Sequence, residues 1–257
     1  FGSTRHISVA PEDDGNLAAL LSAETEVVTI FAKSSVTQVN EVLRVSLEDN
    51  LQIVGDSVEY LRSQGRRVFL DGEHFFDGYF EDSEYALSVL ERAREFGAEI
   101  LILCDTNGGR LPWEISEATQ AVRKRLPDVP LGIHTHNDAA CGVVNTLQAV
   151  RDGATQIQGT INGYGERTGN ANLCSIIPAL QLKMDYDLVK PEQLRQLTHV
   201  SNLVAELANV APRDSDPFVG RDAFTHKGGM HADAVRKLKS SYEHIDPASV
   251  GNFTSIP

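Results

Sequence analysis

Short apolar runs alternate with longer amphipathic stretches along the first 190 residues of the chain. Five of these runs have the length and composition of buried strands, and each leads into helical spacing of apolar residues: "EVVTIFAKS", "RRVFLDGEH", "AEILILCDTNGG", "VPLGIHTHND" and "ATQIQGTINGYGE". The opening segment "FGSTRHISV" has the pattern of a sixth strand that leads into a loop. Strands that alternate with helices predict parallel βαβ units and therefore an α/β fold.

The number of units leaves two architectures open. A closed (β/α)8 barrel needs eight strands, whereas the pattern supplies about six. The sheet is therefore either open or part of a barrel whose first strands are missing from the sequence. An open dinucleotide-binding sheet would carry GxGxxG after its first strand, and the chain has no such motif there.

Apolar spacing also predicts individual helices. It predicts one long helix over residues 39–64, ended by Gly65, and a helix that starts at Pro112. The stretch 191–210 is predicted as a single helix. Its apolar face consists of Leu194, Leu197, Val204 and Leu207.

The pattern changes after about residue 190. The stretch from residue 211 onward is rich in Gly, Pro and Asp and has no strand pattern, which is typical of a lid or linker. We therefore expect a strand–helix domain over 1–190, followed by a helix and the start of a lid or linker subdomain over 191–257.

Composition narrows the function classes. The chain has 257 residues, 41% hydrophobic and 23% charged, with a formal net charge of −13, which argues against electrostatic binding of nucleic acid. No apolar run approaches the length of a membrane span, and no signal peptide is visible. Three cysteines without a CxxC pair favour a reducing cytoplasm over a disulfide framework.

Polar side chains collect at the C-terminal ends of the predicted strands. Both a barrel and an open parallel sheet bind their ligands at this face. The polar residues at these ends are Lys33, Ser34, Asp71, Glu73, Asp105, Thr106, His134, His136 and Asn162. The catalytic chemistry is therefore expected here.

The segment "GIHTHNDAA" places His134 and His136 two residues apart at the end of a strand. Residues i and i+2 of a strand point to the same side, so the two imidazoles would aim at one point and start a metal site. The alternative is that one histidine ends the strand and the other is solvated. Two imidazoles bind a divalent ion weakly, so a metal site also needs oxygen ligands.

The segment "GTINGYGERTGNANL" offers the third ligand. Its glycines would let the backbone approach a bound ligand closely, and Asn170 would give its amide oxygen to the metal. The alternative is a glycine-rich turn in which Asn170 caps the next helix.

Two further strand ends carry substrate-binding candidates. In "LDGEHFFDG", Asp71 and Glu73 would place carboxylates near a substrate, or they belong to a solvated acidic loop. In "CDTNGG", Thr106 would donate a hydrogen bond to a substrate carboxylate, while Asp105 has an equally good structural interpretation.

Four motifs together resemble the DRE-TIM metallolyase family, also called HMGL-like: "GIHTHND", "GTINGYGERTGNANL", "LCDTNGG" and "HKGGMHADAV". They stand in family order and cover nearly the whole chain. Within the family they resemble the acyl-CoA condensing synthases, and "GEHFFDGY" is most similar to the bacterial citramalate synthases. The resemblance implies an incomplete (β/α)8 barrel of about strands 3–8, with a partial TIM-barrel catalytic domain over 1–190 and the C-terminal barrel helix and start of the lid or linker subdomain over 191–257. It also implies a divalent metal ion (Mn²⁺, Mg²⁺ or Zn²⁺), and acetyl-CoA with pyruvate or a related 2-oxo acid as substrates.

The resemblance also assigns roles to positions of this sequence. It implies that His134, His136 and Asn170 bind the metal, and that Glu73 and Thr106 line the 2-oxo acid, with Asp71 on the substrate side. The proton-transfer pair matches His231 and Tyr242, and Glu73 is the second choice. In the family these two lid residues reach the partner subunit's site, which implies a homodimer. The resemblance thus implies three catalytic residues, His231, Tyr242 and Glu73.

The implied reaction condenses acetyl-CoA with pyruvate to citramalate and CoA, a step of isoleucine biosynthesis. Sister synthases for 2-isopropylmalate or homocitrate, a hydroxymethylglutaryl-CoA lyase, and a non-catalytic metal-binding subunit are the alternatives. One departure stands out, because the family's first strand carries an Asp-Thr-Thr-Leu-Arg-Asp-Gly-like element that this sequence lacks. We therefore expect the sequence to begin at the end of the third barrel strand and to be inactive, or nearly so, by itself.

Overall fold

The computed structural model describes residues 1–257 as two compact units, residues 1–158 and 159–257. The first unit contains a single parallel sheet of six strands in chain order. The strands are β1 (Gly2–Ser3), β2 (Val27–Lys33), β3 (Arg67–Glu73), β4 (Ile100–Asp105), β5 (Leu131–Thr135) and β6 (Ala154–Gln158). The strand order decides between the two architectures, because a doubly wound sheet reverses its order at a switch point and this sheet does not.

Helices follow the strands as the alternating pattern predicts. In the first unit they are α1 (Gly15–Ser22), α2 (Leu47–Ser63), α3 (Phe75–Glu81), α4 (Ser83–Glu95), α5 (Pro112–Arg125) and α6 (Gly142–Arg151). Five of the six residues of β4 are buried, as expected when helices and the interior cover both faces of a parallel sheet. This core is formed chiefly by Val, Leu, Ile and Phe side chains of the strands and of α1, α2, α3, α4 and α5.

The long helix predicted over 39–64 is wrong, because the chain breaks there. A π-helical segment, Gln38–Leu43, ends at Arg44, whose φ is 58°. Helix α2 then starts after Ser46, whose side chain accepts a hydrogen bond from the backbone N–H of Asp49 in a capping box. This local start signal interrupts an otherwise continuous apolar spacing. The predicted stop at Gly65 is confirmed by its φ of 79°.

Helix α3 was not predicted from the sequence. It begins directly after His74, which has a φ of 57°, and it buries Phe75 and Phe76 completely. Gly78 lets the helix approach the end of β2 closely, since a Cβ at this position would lie 2.1 Å from the carbonyl oxygen of Ser34. The helix packs at the C-terminal end of β3, where the candidate carboxylates lie.

The second unit is helical. Its helices are α7 (Leu173–Lys183), α8 (Pro191–Leu194), α9 (Leu197–Leu207) and α10 (Gly229–Lys237), with 3-10 turns at Ile161–Gly163, Lys239–Ser241 and Pro247–Val250. A small separate core holds this unit together and consists of Cys174, Leu194, Leu197, Val219, Phe224 and Val250. One isolated parallel bridge joins Thr225 and Ser255. The predicted domain boundary at residue 190 remains a prediction.

The single helix predicted over 191–210 is divided into α8 and α9. The chain turns at Arg195 and Gln196, and this turn lets both Leu194 and Leu197 reach the core of the second unit. Leu207, placed on the apolar face by its spacing, is 78% exposed, so its assignment to that face is wrong. No helix of the chain is both long enough and apolar enough to span a lipid bilayer.

Candidate active site

His134, in β5, and His136, just after the end of β5, turn their rings toward each other. The Nε2 atoms of His134 and His136 are 3.2 Å apart, and the ring centroids are 5.1 Å apart. Both rings are half-buried at the C-terminal end of the strand. Spacing by two residues on a strand is sufficient to produce this convergence, as the sequence predicted.

A residue that sequence reasoning missed holds His134. Gln158 of β6 is the direct neighbour of His134 in the strand register, and its Oε1 lies 2.8 Å from the Nδ1 of His134. The Nε2 of Gln158 donates a 2.9 Å hydrogen bond to Oδ1 of Asp71. The sequence signal for Gln158 is a polar residue at the end of β6, and it was not among the polar residues identified at the strand ends.

Asp71 is a buried carboxylic acid. Only 4% of the residue is exposed, and burial raises its pKa from 3.8 to about 7. Repulsion from the Glu73 carboxylate also raises the pKa, whereas the hydrogen bond from Gln158 opposes the shift. The predicted solvated acidic loop is therefore wrong for Asp71, which lies inside the sheet.

Replacing Asp71 by asparagine is expected to change how stability depends on pH. The folded pKa of Asp71 lies above the unfolded value, so the folded state retains a proton that the unfolded state has lost between pH 4 and 7. Stability should therefore fall as pH rises through this window in the wild type, and fall less in Asp71→Asn. Urea unfolding of the complete protein at pH 4.5 and pH 8 measures this difference, and an equal pH dependence in both proteins would contradict it.

Glu73 forms an ion pair at the neighbouring strand end. Its Oε2 lies 2.7 Å from Nζ of Lys33, and the two residues are direct partners in the β2–β3 register. Both side chains are largely buried. Because parallel strands in register end together, the ammonium group partly neutralises the local excess of carboxylates.

Thr106 and Asp105 lie at the end of β4. The Thr106 hydroxyl oxygen accepts a 2.8 Å hydrogen bond from the backbone N–H of His74, which joins the β4 end to the start of α3. Asp105 is buried, and burial raises its pKa to about 6. A carboxylate oxygen of Asp105 accepts from the backbone N–H of Arg110, in agreement with the structural interpretation of this residue.

In the second unit, Asn170 lies in the glycine-rich segment as predicted. Its Nδ2 donates to the carbonyl oxygen of Tyr164 over 3.1 Å, while its Oδ1 is buried and accepts no hydrogen bond. Helix α7 is capped by Asn172, whose side chain accepts from the backbone N–H of Cys174. Asn170 therefore does not cap that helix, and its oxygen is available to a ligand.

Glycine is required where this segment folds on itself. Gly169 has a φ of 102°, and a Cβ there would lie 2.0 Å from the carbonyl oxygen of Gly163. A Cβ on Gly165 would lie 1.9 Å from Nδ2 of Asn170. The glycines thus set the position of the Asn170 amide, which is a more specific role than flexibility.

His231 and Tyr242 lie together in the second unit. Their rings stack with centroids 4.1 Å apart and an interplanar angle of 20°, and both residues are exposed. Behind them, Nε2 of His226 is 3.4 Å from Oε1 of Glu243, and this pair is almost completely buried. The two residues matched to the lid pair are therefore neighbours, although ten residues separate them in the sequence.

The donor atoms fit a divalent metal ion. Two imidazole nitrogens and an amide oxygen are ligands that suit Zn²⁺ and Mn²⁺, and the buried Oδ1 of Asn170 has no donor of its own. No three His, Cys, Asp or Glu side chains cluster closely enough to hold a metal ion.

The solved structures with a similar fold include several HMG-CoA lyases. The HMG-CoA lyase of Bacillus subtilis matches with a TM-score of 0.66 at 22% identity, over 76% of this chain and 67% of that chain. The HMG-CoA lyase of Acinetobacter baumannii, solved with coenzyme A and 3-methylmalate, matches with a TM-score of 0.65 at 18% identity, over 79% of this chain and 70% of that chain. At this identity the likeness concerns the fold alone, and it confirms the predicted partial TIM barrel.

Sequence relatives extend the match to the whole chain. The (R)-citramalate synthases of Geobacter sulfurreducens and Synechocystis are 51% and 54% identical over 100% of this chain, which covers 48% of each relative. The chain thus spans about half the length of the curated relatives that it matches. The HMGL-like family model matches residues 4–204, and the model described as homocitrate synthase post-HMGL domain-like matches residues 218–256. The strand-end histidines, the glycine-rich asparagine segment and the paired lid residues therefore stand in a chain that belongs to the HMGL-like family.

Proposed function

We propose that the complete protein is a citramalate synthase, which condenses acetyl-CoA with pyruvate to give (R)-citramalate and free CoA. The observation that carries this proposal is that the chain has higher sequence identity to citramalate synthases than to a 2-isopropylmalate synthase. Five (R)-citramalate synthases are 47–54% identical to this chain over at least 98% of its length. A 2-isopropylmalate synthase is 34% identical over 95% of the chain.

The proposed metal ligands are His134, His136 and Asn170. When bound, a divalent ion supplies a Lewis acid that polarises the keto oxygen of the 2-oxo acid. The convergence of the two histidine Nε2 atoms and the acceptor-only, unused Oδ1 of Asn170 support this assignment. Activity with Mn²⁺, Mg²⁺ or Zn²⁺ added separately would identify the ion.

Three side chains at or near the C-terminal ends of β3 and β4 are proposed to line the 2-oxo acid. Thr106 presents its hydroxyl at the end of β4, where it already bonds to the start of α3. Glu73 is held at the end of β3 by Lys33. Asp71 lies further along β3 toward its start, where its Oδ1 accepts a hydrogen bond from Gln158. Its raised pKa leaves the other carboxyl oxygen able to carry a proton and donate a hydrogen bond near neutral pH.

Proton transfer is assigned first to His231 with Tyr242. A base removes a proton from the acetyl methyl group, and the resulting carbanion forms the new bond to C2 of pyruvate. The π electrons of the keto group move to its oxygen, which takes up a proton to become the hydroxyl of citramalate, and water then cleaves the thioester to release CoA. A thioester α-proton is weakly acidic, so the base must be positioned beforehand. The stacked rings of His231 and Tyr242 support such positioning, and Glu73 is the second candidate for this role.

The proposed assembly comes from the family resemblance, and the proposed location comes from the state of the cysteines. A homodimer is proposed because, in the family, the lid residues reach the site of the partner subunit. A cytoplasmic location is proposed because all three cysteines are free thiols, which suits a reducing compartment. Acetyl-CoA as co-substrate is supported by the related lyase fold that was solved with coenzyme A.

A substrate panel tests the proposed reaction. The complete protein, supplied with Mn²⁺ or Mg²⁺ and acetyl-CoA, is expected to release free thiol with pyruvate. Each additional methylene on the oxo acid should reduce kcat/KM by roughly tenfold or more, so 2-oxobutyrate and 2-oxoisovalerate should be progressively poorer substrates. Thiol release is followed continuously with a disulfide reagent.

Three outcomes would contradict the proposal. A preference for 2-oxoisovalerate would indicate a 2-isopropylmalate synthase, and a preference for 2-oxoglutarate would indicate a homocitrate synthase. Cleavage of hydroxymethylglutaryl-CoA without any condensation would indicate a lyase of the kind that shares the fold.

A further inference from the structure

We infer that Gln158 is a positioning residue that sets the ring tautomer of His134 by connecting it to Asp71. This inference rests on the proposed role of His134 as a metal ligand. The three residues come from β5, β6 and β3, and they form one hydrogen-bonded chain, from Nδ1 of His134 to Oε1 of Gln158 and from Nε2 of Gln158 to Oδ1 of Asp71.

The chemistry of the Gln158 amide fixes which end of each hydrogen bond is the donor. A glutamine side chain has a donor-only end and an acceptor-only end. Asp71 presents a carboxylate oxygen 2.9 Å from Nε2 of Gln158, and this acceptor requires the NH₂ end. The oxygen end is therefore turned toward His134, with Oε1 2.8 Å from Nδ1.

The orientation of the Gln158 amide decides which ring nitrogen of His134 carries the proton. An acceptor at Nδ1 requires an N–H at that atom, and a neutral imidazole has only one N–H. The Nε2 atom of His134 therefore keeps its lone pair, and this lone pair lies on the side of the ring that faces Nε2 of His136, 3.2 Å away. A lone pair on Nε2 is the form of imidazole that binds a metal ion.

The arrangement of the strands allows Gln158 to form hydrogen bonds to both His134 and Asp71. His134 and Gln158 are direct neighbours in the β5–β6 register, whereas β3 lies three strands away from β6. In a flat sheet three strand spacings are about 14 Å, so the contact between Gln158 and Asp71 requires the curvature of the barrel. Histidine ligands usually have a carboxylate, a backbone carbonyl or water at the second nitrogen. Here a neutral amide takes that place and connects the ring to a carboxyl group across the interior.

The first experiment measures Mn²⁺ binding to the complete protein by isothermal titration calorimetry. Gln158→Met removes both hydrogen bonds and keeps a side chain of similar length. The dissociation constant for Mn²⁺ is expected to rise about 10- to 100-fold, the usual effect of losing a partner of a ligating histidine. The matched control is Gln156→Met on the same strand, since the amide oxygen of Gln156 accepts no hydrogen bond; its dissociation constant should change less than about twofold, well below that range.

The second experiment takes its measurement on the wild-type protein and uses a variant only to assign the signal. In the metal-free wild-type protein labelled with ¹⁵N-histidine, the chemical shifts are expected to show His134 protonated at Nδ1 and unprotonated at Nε2. The signal is assigned by its loss in His134→Gln. A proton on Nε2 would overturn the inference, and so would unchanged Mn²⁺ affinity in Gln158→Met. If the wild type bound no Mn²⁺ but showed the expected tautomer, the proposed function would fail while the inference about Gln158 stood.

Discussion

Replacing His134 by alanine is expected to remove Mn²⁺ binding and condensation activity together. His134 contributes one of the two ring nitrogens that converge at 3.2 Å. Loss of a partner of a ligating histidine costs about 10- to 100-fold in metal affinity or activity, so loss of the ligand itself should exceed a hundredfold. Mn²⁺ titration and the rate of thiol release with pyruvate measure the two effects on the complete protein.

The control for this prediction is His199→Ala. His199 is an exposed histidine on α9, so the same substitution there should leave both quantities within about twofold of wild type, as is usual for surface changes. If His134→Ala kept full thiol release, the proposed metal site would be wrong, whatever the fold. A similar melting temperature in both variants would show that an activity loss is local.

Replacing Phe75 by alanine is expected to lower the free energy of unfolding by about 3–5 kcal/mol, the range for a buried phenylalanine. Phe75 is fully buried and packs edge-on against Phe76, with ring centroids 5.5 Å apart. It also begins α3, the helix next to the strand end that carries Glu73. The substitution should therefore weaken the site as well as the core. Urea unfolding and the KM for pyruvate measure the two consequences.

The matched substitution for Phe75→Ala is Phe253→Ala, at a phenylalanine that is 67% exposed. Its effect on the free energy of unfolding should be within about 0.5 kcal/mol of zero, as for other surface positions. Equal destabilisation by the two substitutions would show that the burial of α3 does not contribute to stability in the way described.

Most of the sheet could be predicted from the sequence, because burial on both faces of a parallel strand requires a continuous apolar run. All five such runs are strands, and even the short opening strand Gly2–Ser3 was identified. Helix α3 was missed because its apolar residues follow β3 directly, and only the tertiary structure shows that Phe75 and Phe76 enter the core. The break before α2 was missed because the capping residues Ser46 and Asp49 interrupt a spacing that continues on both sides.

The candidate site also contains residues that the sequence predicted and one that it did not. Strand periodicity alone predicted that His134 and His136 would face the same point, and the spacing of a strand makes this nearly independent of context. Gln158 was missed because its importance depends on Asp71, a residue 87 positions away in the chain. Nothing in the local sequence distinguishes Gln158 from Gln156, since both are polar residues of one strand.

The sequence by itself determined the strand–helix alternation, the face on which the functional groups collect, and the family motifs, since these depend on local spacing and residue type. The tertiary structure decided which groups meet: the barrel curvature brings Asp71 to Gln158, and the fold of the second unit stacks His231 on Tyr242. It also decided the raised pKa of Asp71, because the free energy of a charge depends on how much water surrounds it in three dimensions. Local patterns encode the direction of side chains, whereas distances between remote residues and the dielectric around them arise only when the chain packs.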